Sequence, residues 1–185
     1  MVDIPNEIQE LGFHVQIKPE SVEKTVYNNL VIIHQQSSRM LESFDRYCRC
    51  DDERLKDDLL ESINSRINHI SQAFRDIMAF IEIAEKGTAY EESLRYYVRQ
   101  YFKRGIPKTE NEKKAVDFLT KRNNLVHDYF SIDQMNFDLV KNLSDFGDGF
   151  SDIAKNIKDY CIQNFPELAL GQDLEKTLKS NIRKK

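Results

Sequence analysis

An all-α fold, an up-and-down helical bundle in a single domain, is what this sequence predicts, and three observations predict it. Apolar residues recur at steps of three and four along most of the 185-residue chain, the spacing that puts them on one face of a helix. Only six glycines and four prolines are present, little material for the turns of a β-rich fold. Helix-start signals, Ser, Thr or Asp ahead of the apolar series, stand at the breaks between those series. No strand is needed anywhere.

Residues 1–18 show no trustworthy period and read as an irregular arm, and the bundle is expected over 19–165. Pro19 suits a first helical turn, and Val26, Leu30, Ile33, Ser37, Met40, Phe44 and Tyr47 then mark the seam of a long helix. It should stop near Asp51 and Asp52, whose short carboxylates cap the next helix. From Leu55 the series Leu59, Ile63, Ile67, Ile70, Phe74, Ile77, Ile81 and Ala84 runs to Gly87, a C-terminal cap, and approaches ~50 Å at about 1.5 Å per residue.

Thr88 and Glu91 have capping-box spacing for a third helix carrying Tyr90, Leu94, Tyr97, Val98 and Tyr101, ended by Gly105, Ile106 and Pro107. Thr109 and Glu112 repeat that spacing ahead of a fourth helix through Ala115, Phe118, Leu119, Leu125 and Val126. A turn at Ser131 to Asp133 precedes one more long helix, marked by Phe137, Val140, Leu143, Phe146, Phe150, Ile153, Ile157 and Tyr160, with Gly147 and Gly149 bending it. Phe165 and Pro166 close the series. Residues 166–185 read as a tail with a short helix from Leu174 to Ile182 and a frayed basic end, Arg183 to Lys185.

Composition bounds the function. Forty per cent apolar and 31% charged residues is a soluble globular profile, and the net charge of −4 argues against a surface coated in basic residues. Cys48, Cys50 and Cys161 are an odd number without paired zinc-ligand spacing, so reduced, structural thiols are expected, with no metal and no cofactor. The first residues lack a basic start followed by an apolar run, and no stretch of 18 uninterrupted apolar residues occurs, so a cytoplasmic protein away from the membrane is expected.

The chemistry gathers in the fourth helix, at Arg122-Asn123-Asn124-Leu125-Val126-His127-Asp128-Tyr129. Arginine is a permanent cation shaped to grip phosphate, and histidine exchanges a proton near neutral pH. At about 100° per residue Arg122 and Tyr129 fall within roughly 20° of each other, whereas His127 lies about 140° round, beside Asn123 and Asn124. One regular helix does not focus both groups on a small ligand. Arginine's reach, a distorted helix or a second copy across a two-fold axis would close the gap. Residues 103–122 hold seven Lys or Arg against three Asp or Glu, a local excess that could steer RNA; the same lysines also read as ordinary solvated positions. His34 beside the first seam reads as half-buried, and His69 with Asp76 reads either as a buried polar pair or with Asp76 facing the cleft to orient Arg122 or His127.

The run R-x-x-x-x-H-x-Y at Arg122, His127 and Tyr129 resembles the signature of HEPN-domain proteins, specifically the HepT toxins of HEPN/MNT toxin–antitoxin pairs. Gln72 to Ala79, with Asp76, resembles that family's second-helix segment, and the resemblance extends over roughly residues 20–165. It implies a homodimeric, metal-independent endoribonuclease with RNA as substrate. His127 would be general base on a ribose 2′-hydroxyl, Arg122 would stabilise charge at the attacked phosphate, and Asp76, Asn123 and Asn124 would support the cleft. Tyr129 would be the residue to which a nucleotidyltransferase antitoxin attaches AMP. The arm, the acidic stretch from Asp51 to Glu61 and the tail depart from the family pattern. Two other readings stay open: a non-catalytic HEPN module binding a nucleotidyltransferase or nucleotide, and a structural bundle in which Arg122 and His127 satisfy buried polar groups.

Overall fold

The computed structural model describes residues 19–87, 93–125 and 132–166, with side chains placed over 25–87, 93–121 and 136–166. Six helices fill these segments: α1 Pro19–Arg49, α2 Glu53–Lys86, α3 Leu94–Lys103, α4 Glu110–Leu125, α5 Ile132–Phe146 and α6 Gly149–Asn164. The all-α expectation holds, with no strand among the described residues. The arm at 1–18, the helix expected at Leu174 to Ile182 and the basic end Arg183 to Lys185 lie outside them.

The chain's longest helices, α1 and α2, form a hairpin. Asp52 takes an extended conformation and its carboxylate accepts the Leu55 N–H at 3.0 Å, starting α2 where the acidic pair predicts it. Gln36 lies as far before this link as Arg66 lies after it, and their side chains meet at 3.3 Å, so the two helices run antiparallel in register. Between them Val26, Leu30, Ile33 and Met40 face Ile63, Ile67, Ile70, Phe74 and Ile77, all fully buried. Burial at about 1.5–3 kcal/mol per large apolar side chain makes this seam the main source of stability. It is narrower than the periodicity implied: Leu55 is 42% exposed, and Ala84, which lies beyond the start of α1, is exposed as well.

Gly87 ends α2 as expected. Its φ of 76° is left-handed, and its N–H donates to the Ile83 carbonyl at 2.7 Å. The third helix starts later than the Thr88–Glu91 spacing implied: Ser93 is extended and its hydroxyl caps the Tyr96 N–H at 3.2 Å, while Thr88, Tyr90 and Glu91 fall outside the described residues. At the other end Gly105, with φ 64°, donates to Phe102, and buried Ile106 donates to Tyr101, the paired bonds of a Schellman stop.

The long helix expected from Phe137 to Tyr160 is two helices. The chain breaks at Gly147 and Asp148, and α6 starts at Gly149 because only a residue without a Cβ fits there: an added methyl would stand 2.3 Å from the Asn111 backbone of α4. With that break, α5 buries Leu139, Leu143 and Phe146, and Phe137, read as part of the seam, is 65% exposed. The structure brings α6 against both α1 and α4, while α3 bridges α2 and α4 and α5 lies on α4.

Candidate functional site

The motif occupies the last turn of α4 and the residues after it. The α4 backbone is helical through Leu125 and so carries Arg122, Asn123 and Asn124. Arg122 is three positions beyond Leu119 and seven beyond Ala115, both fully buried, which puts its Cα on the inward register of the helix. Asn124 follows two positions later, on the far side of the helix. His127 and Tyr129 lie outside the described residues, as does the turn expected at Ser131.

Asp76 is in the middle of α2 with its side chain 39% exposed. It accepts a 2.7 Å hydrogen bond from Gln72 Nε2 and lies 3.7 Å from Arg75 Nε, so its described partners are on its own helix. His69, one of the two residues of the expected buried pair, is exposed, and Asp76 is not buried either; the pair is not formed, because this face of α2 points away from α1. His34 is half-buried beside the α1 seam, as expected.

The start of α4 is held by a buried carboxylate. Thr109 caps the helix through the Glu112 N–H at 3.1 Å, as the spacing predicts, but the Glu112 side chain does not return to Thr109. It is fully buried: Oε2 accepts the Lys108 N–H and Asn156 Nδ2, each at 2.7 Å, and Oε1 accepts the Tyr101 hydroxyl. One side chain thus ties α4 to α3 and α6. Burial, and then the charges of Glu112 and Asp152, push the Tyr101 phenol well above its ordinary value, so it stays a donor. Sequence reasoning read Glu112 only as a cap; the signal it lacked was the burial of Tyr101 and Asn156 opposite it.

A second polar cluster joins the ends of α2, α3 and α6. Arg104 grips Glu85 through Nε at 2.9 and 3.1 Å and through Nη2, and Tyr160 donates to Glu85 at 2.7 Å. The Arg104 hydrogen bonds hold the Glu85 carboxyl below its ordinary value. Burial, aided by the bond to Glu85, raises Tyr160 to about 12, and burial raises the neighbouring Cys161 thiol to about 12. Glu82 nearby accepts from Tyr96 at 2.7 Å and from Lys86. Both bonds are to Oε1, and the buried Oε2 of Glu82 has no hydrogen-bond partner, whereas Glu85, Arg104 and Tyr160 brace the three helix ends.

Beside the motif end of α4, a groove of about 290 Å³ opens between α4 and α5, lined by Lys114, Asp117, Phe118, Lys121, Asn142, Asp145 and Phe146. Phe118 and Phe146 meet edge to face at 6.0 Å in its wall. Its lysines do not all offer free charge. Lys121 pairs with Asp117 at 2.8 Å, and elsewhere Lys113 pairs with Glu110 while Arg104 is held by Glu85. Of the basic excess counted over residues 103–122, the pairing of Arg104 with Glu85 offsets one charge, since Glu110 and Asp117 already belong to that count. The three thiols are free, Cys48 exposed and Cys161 buried, and among the described residues no group of three or more His, Cys, Asp or Glu could hold a metal. None of the described helices is long and apolar enough to cross a membrane. No protein-family model, curated protein or solved structure matches the chain.

Proposed function

We propose that this chain is a HEPN-type toxin, a homodimeric, metal-independent endoribonuclease restrained by a nucleotidyltransferase antitoxin. One observation carries the reading: the R-x-x-x-x-H-x-Y run begins on the inward register at the end of a helix in an all-α bundle. That helix starts on a three-way buried anchor at Glu112, so its direction is set by packing against α3 and α6.

His127 takes the proton from a ribose 2′-hydroxyl as its oxygen bonds to the adjacent phosphorus. The bond from phosphorus to the 5′-oxygen breaks, that oxygen takes a proton from solvent, and the product ends in a 2′,3′-cyclic phosphate. Arg122 stabilises the charge on the phosphoryl oxygens, with Asn123, Asn124 and Asp76 as supporting groups. The active unit is a dimer, as the family resemblance implies, which brings a second copy of the motif to the cleft. For restraint, the Tyr129 oxygen attacks the α-phosphorus of ATP on the partner enzyme, pyrophosphate leaves, and the attached AMP blocks the cleft by bulk and charge.

A positioned base contributes about 10²–10⁴ in rate, so His127→Ala loses cleavage by that factor in EDTA while the far-ultraviolet circular dichroism is unchanged. Cleavage at the wild-type rate by purified His127→Ala removes the assignment.

A further inference from the structure

The surface of α3 differs from that of the helices around it. α1, α2, α4 and α5 each carry at least one cation paired with a carboxylate three or four positions away: Arg49 with Asp45, Lys56 with Glu53, Lys121 with Asp117 and Lys141 with Asp145. α3, Leu94–Lys103, contains no acidic residue at all. Its inner face buries Tyr97, Val98 and Tyr101. Its outer face shows Arg95, Arg99, Phe102 and Lys103, all exposed, on an arc of about 100°. Among the described residues Arg95, Arg99 and Lys103 have no ion pair, whereas Arg104, on the other side of the helix, is drawn to Glu85. Like charges four apart repel, so this spacing weakens the helix unless an external anion lies along it.

We infer that the Arg95–Arg99–Lys103 stripe with Phe102 is a docking track for the backbone of single-stranded RNA. The cations recur at about 6 Å along the axis, a spacing suited to successive phosphates of an extended strand. Phe102 selects the class of polyanion. A large apolar ring, 36% exposed among three cations and steadied edge-on by Tyr101 at 6.3 Å, offers a stacking face for an unpaired base, which a duplex or an acidic peptide does not supply. α3 packs directly on α4, the helix that carries Arg122. The inference rests on the nuclease reading for the choice of RNA.

The test uses the full chain in EDTA and a fluorescent single-stranded RNA with 2′-O-methyl sugars, which binds but cannot be cut. Anisotropy titrations from 50 to 200 mM salt compare the wild type with R95Q/R99Q/K103Q and with F102A. Removing three phosphate contacts lowers the salt slope by about 2 and weakens binding roughly 10- to 100-fold at the lowest salt. Phe102→Ala weakens binding about tenfold with the slope unchanged. Wild-type affinity and slope in the triple variant overturn the track. Displacement of the strand by polyglutamate at equal charge concentration, with Phe102→Ala without effect, overturns it in favour of an acidic protein partner. Cleavage of an unmodified strand separates the two readings. If His127→Ala stops cleavage while the triple variant binds normally, only the track fails; if α3 holds the strand and nothing is cut, only the nuclease reading fails.

Discussion

At the residue scale, Glu112 decides how the motif helix begins. Three donors from three elements converge on its buried carboxylate, and each loses its acceptor in Glu112→Ala. Unsatisfied buried donors cost about 1–3 kcal/mol each, so the alanine variant is destabilised by upwards of about 3 kcal/mol in urea unfolding. Glu112→Gln can keep its oxygen toward Lys108 and Asn156, while the Tyr101 hydroxyl rotates to accept from the new amide; its loss is about 1 kcal/mol. Equal losses in the two variants would contradict the hub. Among the motif residues, Tyr129 carries the regulatory expectation: co-expression with a nucleotidyltransferase encoded alongside adds AMP-sized mass that disappears in Tyr129→Phe. Mass that persists moves the modification to another residue.

At the element scale the contact between α6 and α4 is set by the absence of a side chain. A Cβ at Gly149 would meet the Asn111 carbonyl at 2.3 Å and the Glu112 nitrogen at 2.6 Å, backbone atoms that cannot turn aside. Gly149→Ala therefore separates the two helices and costs about 1–3 kcal/mol or more, the range for overpacking. Gly105→Ala provides the contrast: nothing lies within 4 Å, and the cost is the left-handed backbone alone, about 1 kcal/mol. A smaller loss for Gly149→Ala in matched urea titrations would show that the contact yields. The α1 and α2 seams were legible in the sequence because Leu30, Ile33, Ile63 and Ile70 follow one uninterrupted period. The break between α5 and α6 was not, because Gly147 and Gly149 leave the apolar period intact on both sides, and a bend and a break share that pattern.

At the scale of the whole molecule, the buried proton carriers make the fold sensitive to alkali. Tyr101, Tyr160 and Cys161 all have folded values raised above their ordinary ones, so the folded state holds protons that the unfolded chain releases. Their contribution is fully present below about pH 9 and is lost as pH rises toward 12, at up to about 1.4 kcal/mol per pH unit for buried Tyr101 and Cys161 and less for half-buried Tyr160, where solvent screens the interaction. Urea unfolding at pH 8, 9.5 and 10.5 should show this fall, and Cys161→Ala should make it shallower; an unchanged slope would remove the thiol from the account. Glu85, held low by Arg104, works at the other end: its contribution is present above the ordinary carboxylate value and lost as pH falls below it. Assembly belongs to this scale too. A dimer completing the motif predicts a melting temperature that rises with protein concentration and a dimer mass in sedimentation equilibrium.

By itself the sequence determined the all-helical class, the α1–α2 hairpin, the caps at Asp52, Gly87 and Thr109, and the place of Arg122 to Asn124 on α4, because each depends on residues within a few positions of one another. Only the tertiary structure decided what Glu112, Arg104 and Gly149 do. Their partners are Asn156, Glu85 and Asn111, tens of positions or whole helices away, and no local period records which helix will pack against which. The same physics explains the charge on α4 and α3. Counting residues made the stretch from Lys103 to Arg122 look basic, but folding pairs Arg104, Lys113 and Lys121 with carboxylates, while on α3 Arg95, Arg99 and Lys103 have no ion pair among the described residues.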